Sequence, residues 1–591
     1  MAKKRFFSQD RQRSFQPDGS PEPSADSPSI GRRDLIKGAA AFVGLSGAAS
    51  LLPASAVATR VRPCADAPGF CNTTIVGSNE NAIVETTAGK VRGFTRNGIY
   101  TFKGIPYAGT TAGDARFMAP TKPQPWKGIR SSMQYGFVSP QEPRSGWADD
   151  EVAWMFDWDD GRPGEDCLLV NIWSPGLDNG KRPVMVWLHG GGFEAGSGQE
   201  LKSYYGENLS RRGDVVVVSL NHRLGVLGYL DLAEIGGERY ANSANAGMLD
   251  LVAALEWVRA NISNFGGDPG TVMIFGQSGG GGKVNTLMAM PAANGLFHCG
   301  AVESGSLLNA AMPSDSAKLG AEVVKQLGLS RSEIGKIQDV PVEKLVRAGM
   351  AAIKALAQPM QMGKKFRLPR IGWQPTMDGA NLPIQPWDPV APAQSANIPL
   401  LVGTVLNEFF TPLYDKSLLT MTQEQLEARV SAMDGGDADR IIEIFKADHP
   451  TFTPGQLMSV ISAAGVRQGA VTQAERKAAQ HAAPVYTYWF WWQTPVLDRI
   501  PGAFHCSELS FVFDNTDRCA PMTGGGAGPR ALAARVSDAW IHFARSGNPN
   551  HPGLPKWPAF TSSEGAVMIF DNDCVVKNNP DGAERRALGL A

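Results

Sequence analysis

The run TVMIFGQSGGGGKV, residues 271–284, decides how the rest of the chain is read. Thr271 to Phe275 is a short β-branched and apolar stretch that reads as a strand. Gly276-Gln277-Ser278-Gly279-Gly280 then turns sharply into a run of small residues able to enter a helix. Strand, tight turn, helix is the setting in which G-x-S-x-G works as a nucleophile elbow, holding a serine hydroxyl out at the end of a sheet. Gly276 and Gly280 leave room for the strained backbone that such a turn needs. Ser278 is the candidate nucleophile. The pattern alone is unspecific in a chain with 66 glycines, so the flanking segments have to supply its partners.

Working outward, Pro183–Leu188 (PVMVWL) and Val215–Leu220 (VVVVSL) read as buried strands. Gly247–Ile262 places Leu251, Leu255, Val258 and Ile262 at helical spacing and stops at Gly266-Gly267. This alternation predicts an α/β fold. Thr86 to Trp126 alternates short apolar runs with glycine and predicts an N-terminal β-meander. Leu400–Gly403, the aromatic Val485–Trp492 and Val567–Phe570 are further strands, and Leu532–Arg545 is a helix. Ala317–Gln361 and Thr422–Ala447 read as helical insertions over the sheet. No linker follows residue 60, so residues 59–591 are expected to form one catalytic domain.

The first 58 residues are of a different kind. Residues 1–30 are polar and rich in Ser and Pro, as in disordered leaders. Gly31-Arg32-Arg33-Asp34-Leu35 is followed by a weakly apolar Ala/Gly run with small-x-small cleavage candidates at Ala54-Ser55-Ala56 and Ala56-Val57-Ala58. This resembles a bacterial twin-arginine signal and predicts export to the periplasm or medium. Gly and Pro53 argue against an uncleaved membrane span. A net charge of −1 over 591 residues gives no basic field for nucleic acid. The seven cysteines show no CxxC and no metal-ligand spacing; Cys64 and Cys71 could pair after export. No metal or organic cofactor is expected.

A serine nucleophile needs a base, and the base an orienting acid. On a sheet of this kind the chain order is Ser, then Asp/Glu, then His. Of the later histidines, His505 sits in a loop after the aromatic strand, in GAFHCSELSFVF, where an exposed base belongs; His551 in NPNHPG is a rival. Glu408 follows the strand LLVG and is the candidate acid. His189-Gly190-Gly191-Gly192-Phe193 follows another strand, and glycines there let backbone N–H groups approach an oxyanion. Gly191, Gly192 and Gly279 make a three-donor oxyanion hole. A loop over residues 141–163 is rich in Trp and acid; with Phe193 and Gln277, its Trp147 and Trp154 are candidate substrate contacts. Hydrophobic or aromatic esters would suit such walls.

Together these segments resemble the type-B carboxylesterases, the family of bacterial para-nitrobenzyl esterases, animal carboxylesterases and cholinesterases. The resemblance covers about residues 83–571 and rests on FKGIPYA (102–108), EDCLLVNIW (165–173), HGGGF (189–193), NHRLGVLGYL (221–230), FGQSGG (275–280), ESGS (303–306), GTVLNE (403–408) and GAFHCSELSFVF (502–513). It implies an α/β-hydrolase fold: a central, mostly parallel twisted sheet with helices on both faces and helical insertions over the active site. It also implies a Ser278–His505–Glu408 triad acting on small-molecule esters through an acyl-enzyme. Amides, carbamates or lactones are alternatives, and a non-catalytic binding module is another. The family elbow usually reads G-E-S-A-G. Gln277 removes the negative charge that faces cationic substrates in cholinesterases, which argues against choline esters. Arg116 and Glu165 match a structural ion pair of the family. The family bridge at Cys167 lacks an upstream partner, a Gln277–Cys506 position cannot form a disulfide, and a Cys506–Cys519 pairing stays open.

Overall fold

A computed structural model describes residues 74–143, 150–356, 371–434 and 437–590. The leader over residues 1–58, Cys64, Cys71 and Trp147 lie outside the described residues.

A twelve-stranded sheet organises the fold. Its strands are β1 (Ile75–Val76), β2 (Phe94–Arg96), β3 (Ile99–Pro106), β4 (Leu169–Ser174), β5 (Arg182–Leu188), β6 (Val216–Leu220), β7 (Gly267–Gln277), β8 (Cys299–Glu303), β9 (Leu400–Val405), β10 (Val485–Phe490), β11 (Ala566–Phe570) and β12 (Val575–Asn578). Their spatial order is β1-β2-β3-β4-β6-β5-β7-β8-β9-β10-β11-β12. From β6 to β11 all pairings are parallel; the outer strands on either side run antiparallel. Ile83–Thr86, Gly89–Arg92 and Ile129–Ser131 form a separate small sheet.

Both faces of the central strands are buried, which is why they read as unbroken apolar runs. Val184, Val186 and Leu188 of β5 join Val218 of β6 and Ile274 of β7 in the core beneath the helix Ala246–Asn261, through Leu251, Leu255 and Val258. The alternate residues Met185, Trp187, Val217, Met273 and Phe275 face the other way, against Leu532, Val536 and Trp540 of the helix Ala527–Ser546. The period-2 alternation thus divides one strand between two cores. The expected α/β-hydrolase architecture, with a mostly parallel sheet and helices on both faces, is what the protein has.

Local departures have local causes. The meander expected as far as Trp126 stops at Pro106, where Pro removes a ladder donor and a Gly- and Thr-rich stretch follows. The insertions resolve into Pro313–Gln326, Arg331–Asp339 and Val342–Leu356, and into Gln423–Asp434 and Ala438–Asp448. The unforeseen 25-residue helix Pro454–Ala478 packs on the last two. Each group of insertions packs on the body through a separate apolar nucleus: Leu319, Val323, Leu345 and Ala348 with Val226 and Leu230 in one, Leu426, Ile441, Phe445 and Leu457 with Trp489 and Ile569 in the other.

Two ion pairs, one half-buried and one fully buried, brace the segments around the sheet. Arg116 Nε and Nη2 reach Glu165 at 2.5 and 2.7 Å, as the family resemblance implied. Arg223, just past β6, donates from Nε at 2.8 Å, from Nη2 at 2.6 Å and from its backbone N–H at 3.0 Å to the carboxylate of Asp250. Both of these side chains are at most 1% exposed.

Candidate active site

Parallel strands end on one edge of a sheet, so the segments after β5, β7, β9 and β10 are delivered to the same place. The elbow follows β7. Ser278 has φ 57° and ψ −124°, a conformation that non-glycine residues hold only when their surroundings force it. Here its N–H is fixed by the carbonyl of Glu303 on the neighbouring strand, at 2.8 Å, and its carbonyl accepts the N–H of Gly282 at 3.1 Å. The turn closes only because its glycines lack side chains. A Cβ on Gly280 would stand 2.0 Å from Leu188 O, and one on Gly276 2.6 Å from the same atom.

The segment after β5 supplies the backbone donors. Gly191 and Gly192 take φ 79° and 62°, left-handed values that suit glycine. Gly192 lies against the start of the helix Gly279–Leu287, with its oxygen 2.2 Å from where a Cβ on Gly279 would be. The N–H groups of Gly191, Gly192 and Gly279 donate to no acceptor among the described residues.

The segments after β9 and β10 are stitched together by backbone. Asn407 N–H donates to Ala503 O at 3.1 Å and His505 N–H to Glu408 O at 3.0 Å, forming a bridge between Glu408 and Phe504. Glu408 is fully buried; Oε1 accepts the N–H of Val405 at 3.1 Å, and Oε2 accepts from His505 Nδ1. That contact fixes the imidazole tautomer with Nε2 as the acceptor.

Gln277 completes the arrangement in a way its position in the chain does not announce. Its amide nitrogen is 3.3 Å from Nδ1 and 3.0 Å from Nε2 of His505. A donor in the ring plane cannot be nearly equidistant from both nitrogens without running into the ring, so the amide lies over the face of the imidazole. Phe409 packs on the ring at a centroid distance of 3.8 Å, tilted by 32°. The Gln277 carbonyl accepts from Cys506 Sγ at 3.1 Å. Gln277 and Phe409 together hold the imidazole in place beside the elbow. Ser278 Oγ makes no hydrogen bond to His505 in this geometry; such contacts commonly tighten only when substrate is bound.

The remaining expectations sort by burial. Phe193 is buried edge-on against Tyr229, and Gln277 is buried between His505 and Cys506, so both shape the site from behind. Trp154 is 51% exposed, whereas Trp158 stacks on Phe156, which meets Phe504 beside the base. The acid-rich loop is therefore anchored by Trp158 and presents Trp154. The rival His551 pairs with His542 away from the elbow. Cys506 and Cys519 are not joined in a disulfide, nor are Cys167, Cys299 or Cys574, which corrects the open Cys506–Cys519 pairing.

Behind the elbow lie two acidic groups that sequence reasoning passed over. Burial, then the nearby carboxyls of Glu303 and Glu408, push Glu508 well above the usual carboxylate range. Burial raises Glu303 to about 8, against a lowering hydrogen bond from Trp540 Nε1 at 2.7 Å. Unfolded, that carboxyl ionises near its ordinary 4.5. Between the two values the folded chain keeps a proton that the unfolded chain has lost, so this group's contribution to stability falls as pH rises through that window. Glu303→Gln keeps the shape and the acceptor for Trp540. Its melting temperature relative to the wild type is expected to climb from pH 5 to pH 8 and then level; a difference flat in pH would show that Glu303 ionises normally.

Residues 80–587 match the model of the Carboxylesterase family. The chain is 35% identical over 512 residues to a para-nitrobenzyl esterase of Bacillus subtilis, covering 86% of this chain and 98% of that one. It is 31% identical over 497 residues to a phenmedipham hydrolase of Pseudarthrobacter oxydans, covering 83% and 95%. Among solved structures it is similar, at 38% identity and a TM-score of 0.75, to an esterase from Clostridium hathewayi described as able to hydrolyse aliphatic aromatic polyesters; the match covers 88% of this chain and all of that one.

Proposed function

Because this chain belongs to the carboxylesterase family and is a carboxylic-ester hydrolase, we propose that its chemistry runs through Ser278, His505 and Glu408 and an acyl-enzyme. The observation that carries this reading is the buried Glu408–His505 pair held against the elbow by Gln277. Ser278 Oγ attacks the ester carbonyl while His505 Nε2 takes its proton. Glu408 holds Nδ1–H and stabilises the imidazolium. Negative charge on the carbonyl oxygen falls on the N–H groups of Gly191, Gly192 and Gly279. His505 then protonates the leaving alcohol, and water hydrolyses the acyl-enzyme with the roles reversed. Activity falls on the acid side, where the base is protonated.

The substrates are small esters with hydrophobic or aromatic groups. Supporting this are Phe409, 43% exposed beside the base, and the exposed Trp154. The activities of the B. subtilis and C. hathewayi relatives point the same way. Choline esters are poor substrates because Gln277 puts no charge in the site. A series of p-nitrophenyl esters of rising acyl length, run beside butyrylcholine, tests the reading. We expect p-nitrophenyl butyrate to exceed butyrylcholine in kcat/KM by at least about tenfold. No hydrolysis across the series, or a preference for the cationic ester, would overturn it. Export is part of the proposal: Arg32-Arg33 and the weakly apolar run after them support a twin-arginine route. Among the described residues no helix is long and apolar enough to cross a membrane.

A further inference from the structure

Lys283 sits in the helix that begins at Gly279, and it is fully buried. Its Nζ donates to His189 O at 2.8 Å and to Gly192 O at 3.0 Å, and lies 5.5 Å from the centre of the Phe193 ring. Taking an ammonium out of water is costly. The N-terminal part of a helix is also the wrong end of the macrodipole for a cation. A methionine would fill the same volume without either cost. The charge therefore does something an apolar chain could not do, and the two carbonyls show what it is.

His189 O and Gly192 O bracket the glycine segment. In a trans peptide the C=O and the following N–H point in opposite directions. Drawing these two oxygens onto Lys283 therefore turns the N–H groups of Gly190 and Phe193 away from it. With both ends set, Gly191 and Gly192 between them hold their left-handed conformations. Inside the segment, Gly190 O accepts from His189 Nδ1 at 2.9 Å and Gly191 O from the Ala195 N–H at 3.0 Å. Successive glycines have more conformational freedom to lose than any other residues, so a tether at the two outer carbonyls adds to that preorganisation.

We propose that Lys283 is the positioning residue of the oxyanion hole: its buried ammonium pins the two carbonyls, His189 O and Gly192 O, that flank the peptide units carrying the Gly191 and Gly192 donors. This rests on the assignment of those glycines to the oxyanion hole given above. The test uses the full chain with Lys283→Met and Lys283→Gln, p-nitrophenyl butyrate as substrate, and a trifluoromethyl ketone that forms a tetrahedral adduct on the serine. For Lys283→Met we expect kcat to fall about 10- to 100-fold, less than on outright deletion of a donor, with KM within about twofold. The inhibition constant for the ketone should weaken by the same factor as kcat. Lys283→Gln should lie between, since its amide reaches one carbonyl.

An unchanged kcat would overturn the proposal, and so would a lowered kcat with full affinity for the ketone. Loss of cooperative melting in both variants would overturn it too, because the cation would then be holding the fold rather than the hole. Failure of the underlying site reading shows up separately, as a wild-type protein that forms no adduct with the ketone.

Discussion

Ser278→Ala is expected to lower kcat for p-nitrophenyl butyrate by on the order of 10⁴- to 10⁶-fold, with an unchanged melting temperature. No other hydroxyl stands at the tip of the elbow, and water in its place would lack both the intramolecular attack and the proton transfer to His505. Alanine keeps a Cβ, so the backbone at φ 57° is no more strained than with serine, and the Glu303 carbonyl still holds the amide. The oxyanion donors remain, and they account for the residual rate. A fluorophosphonate should add one mass increment to the wild type, on the peptide carrying Ser278, and none to the variant. Retained turnover, or an adduct elsewhere, would remove Ser278 from the mechanism.

The largest stability effect is expected at Asp250→Asn, a loss of about 3–5 kcal/mol measured by urea unfolding. Arg223 makes three of its hydrogen bonds to this one carboxylate, and neither side chain meets solvent. An asparagine of the same shape leaves a guanidinium charge uncompensated in the core. Removing both partners, as in Arg223→Met with Asp250→Leu, should recover much of the loss, since a well-packed apolar pair carries no desolvation penalty. Lower activity is expected to accompany the single change: two residues after Arg223, Gly225 donates to Phe193 O at 2.8 Å, so the pair lies under the glycine segment. A loss below about 1 kcal/mol would mean that Arg223 finds water or another acceptor.

Much of this was legible in the chain because the chemistry imposes local backbone demands. The elbow needs small residues at fixed offsets, and Gly276 and Gly280 meet the end of β5 too closely for anything larger. Glu408 and His505 each stand just past a strand, and in a parallel sheet such positions share one edge, so their places in the chain already point to a common site. The parts that could not be read depend on where side chains point. Nothing in the order Gln277-Ser278 says that the amide meets an imidazole 228 residues away, or that Phe409 packs on the same ring. Lys283 reads as a polar residue in a glycine-rich helix until its carbonyl partners are seen. The helix Pro454–Ala478 escaped notice because its buried positions mix four alanines with Ser459, Arg467, Gln473 and Lys477 rather than forming a clear apolar stripe. β4 shows the converse: LVNIWS is buried along its whole length, and a short unbroken run carries no period to classify.

The separate nuclei of the helical insertions bear on how such an enzyme diversifies. Leu319, Val323 and Leu345 cohere around one centre with Val226 and Leu230 of the body, and Leu426, Ile441 and Phe445 around another with Trp489 and Ile569 of the sheet, so each block is keyed to the frame through a shared cluster. Recombination or directed evolution could rewrite the outward parts of either block, while the shared cluster keeps the strand ends that deliver the reacting groups in register.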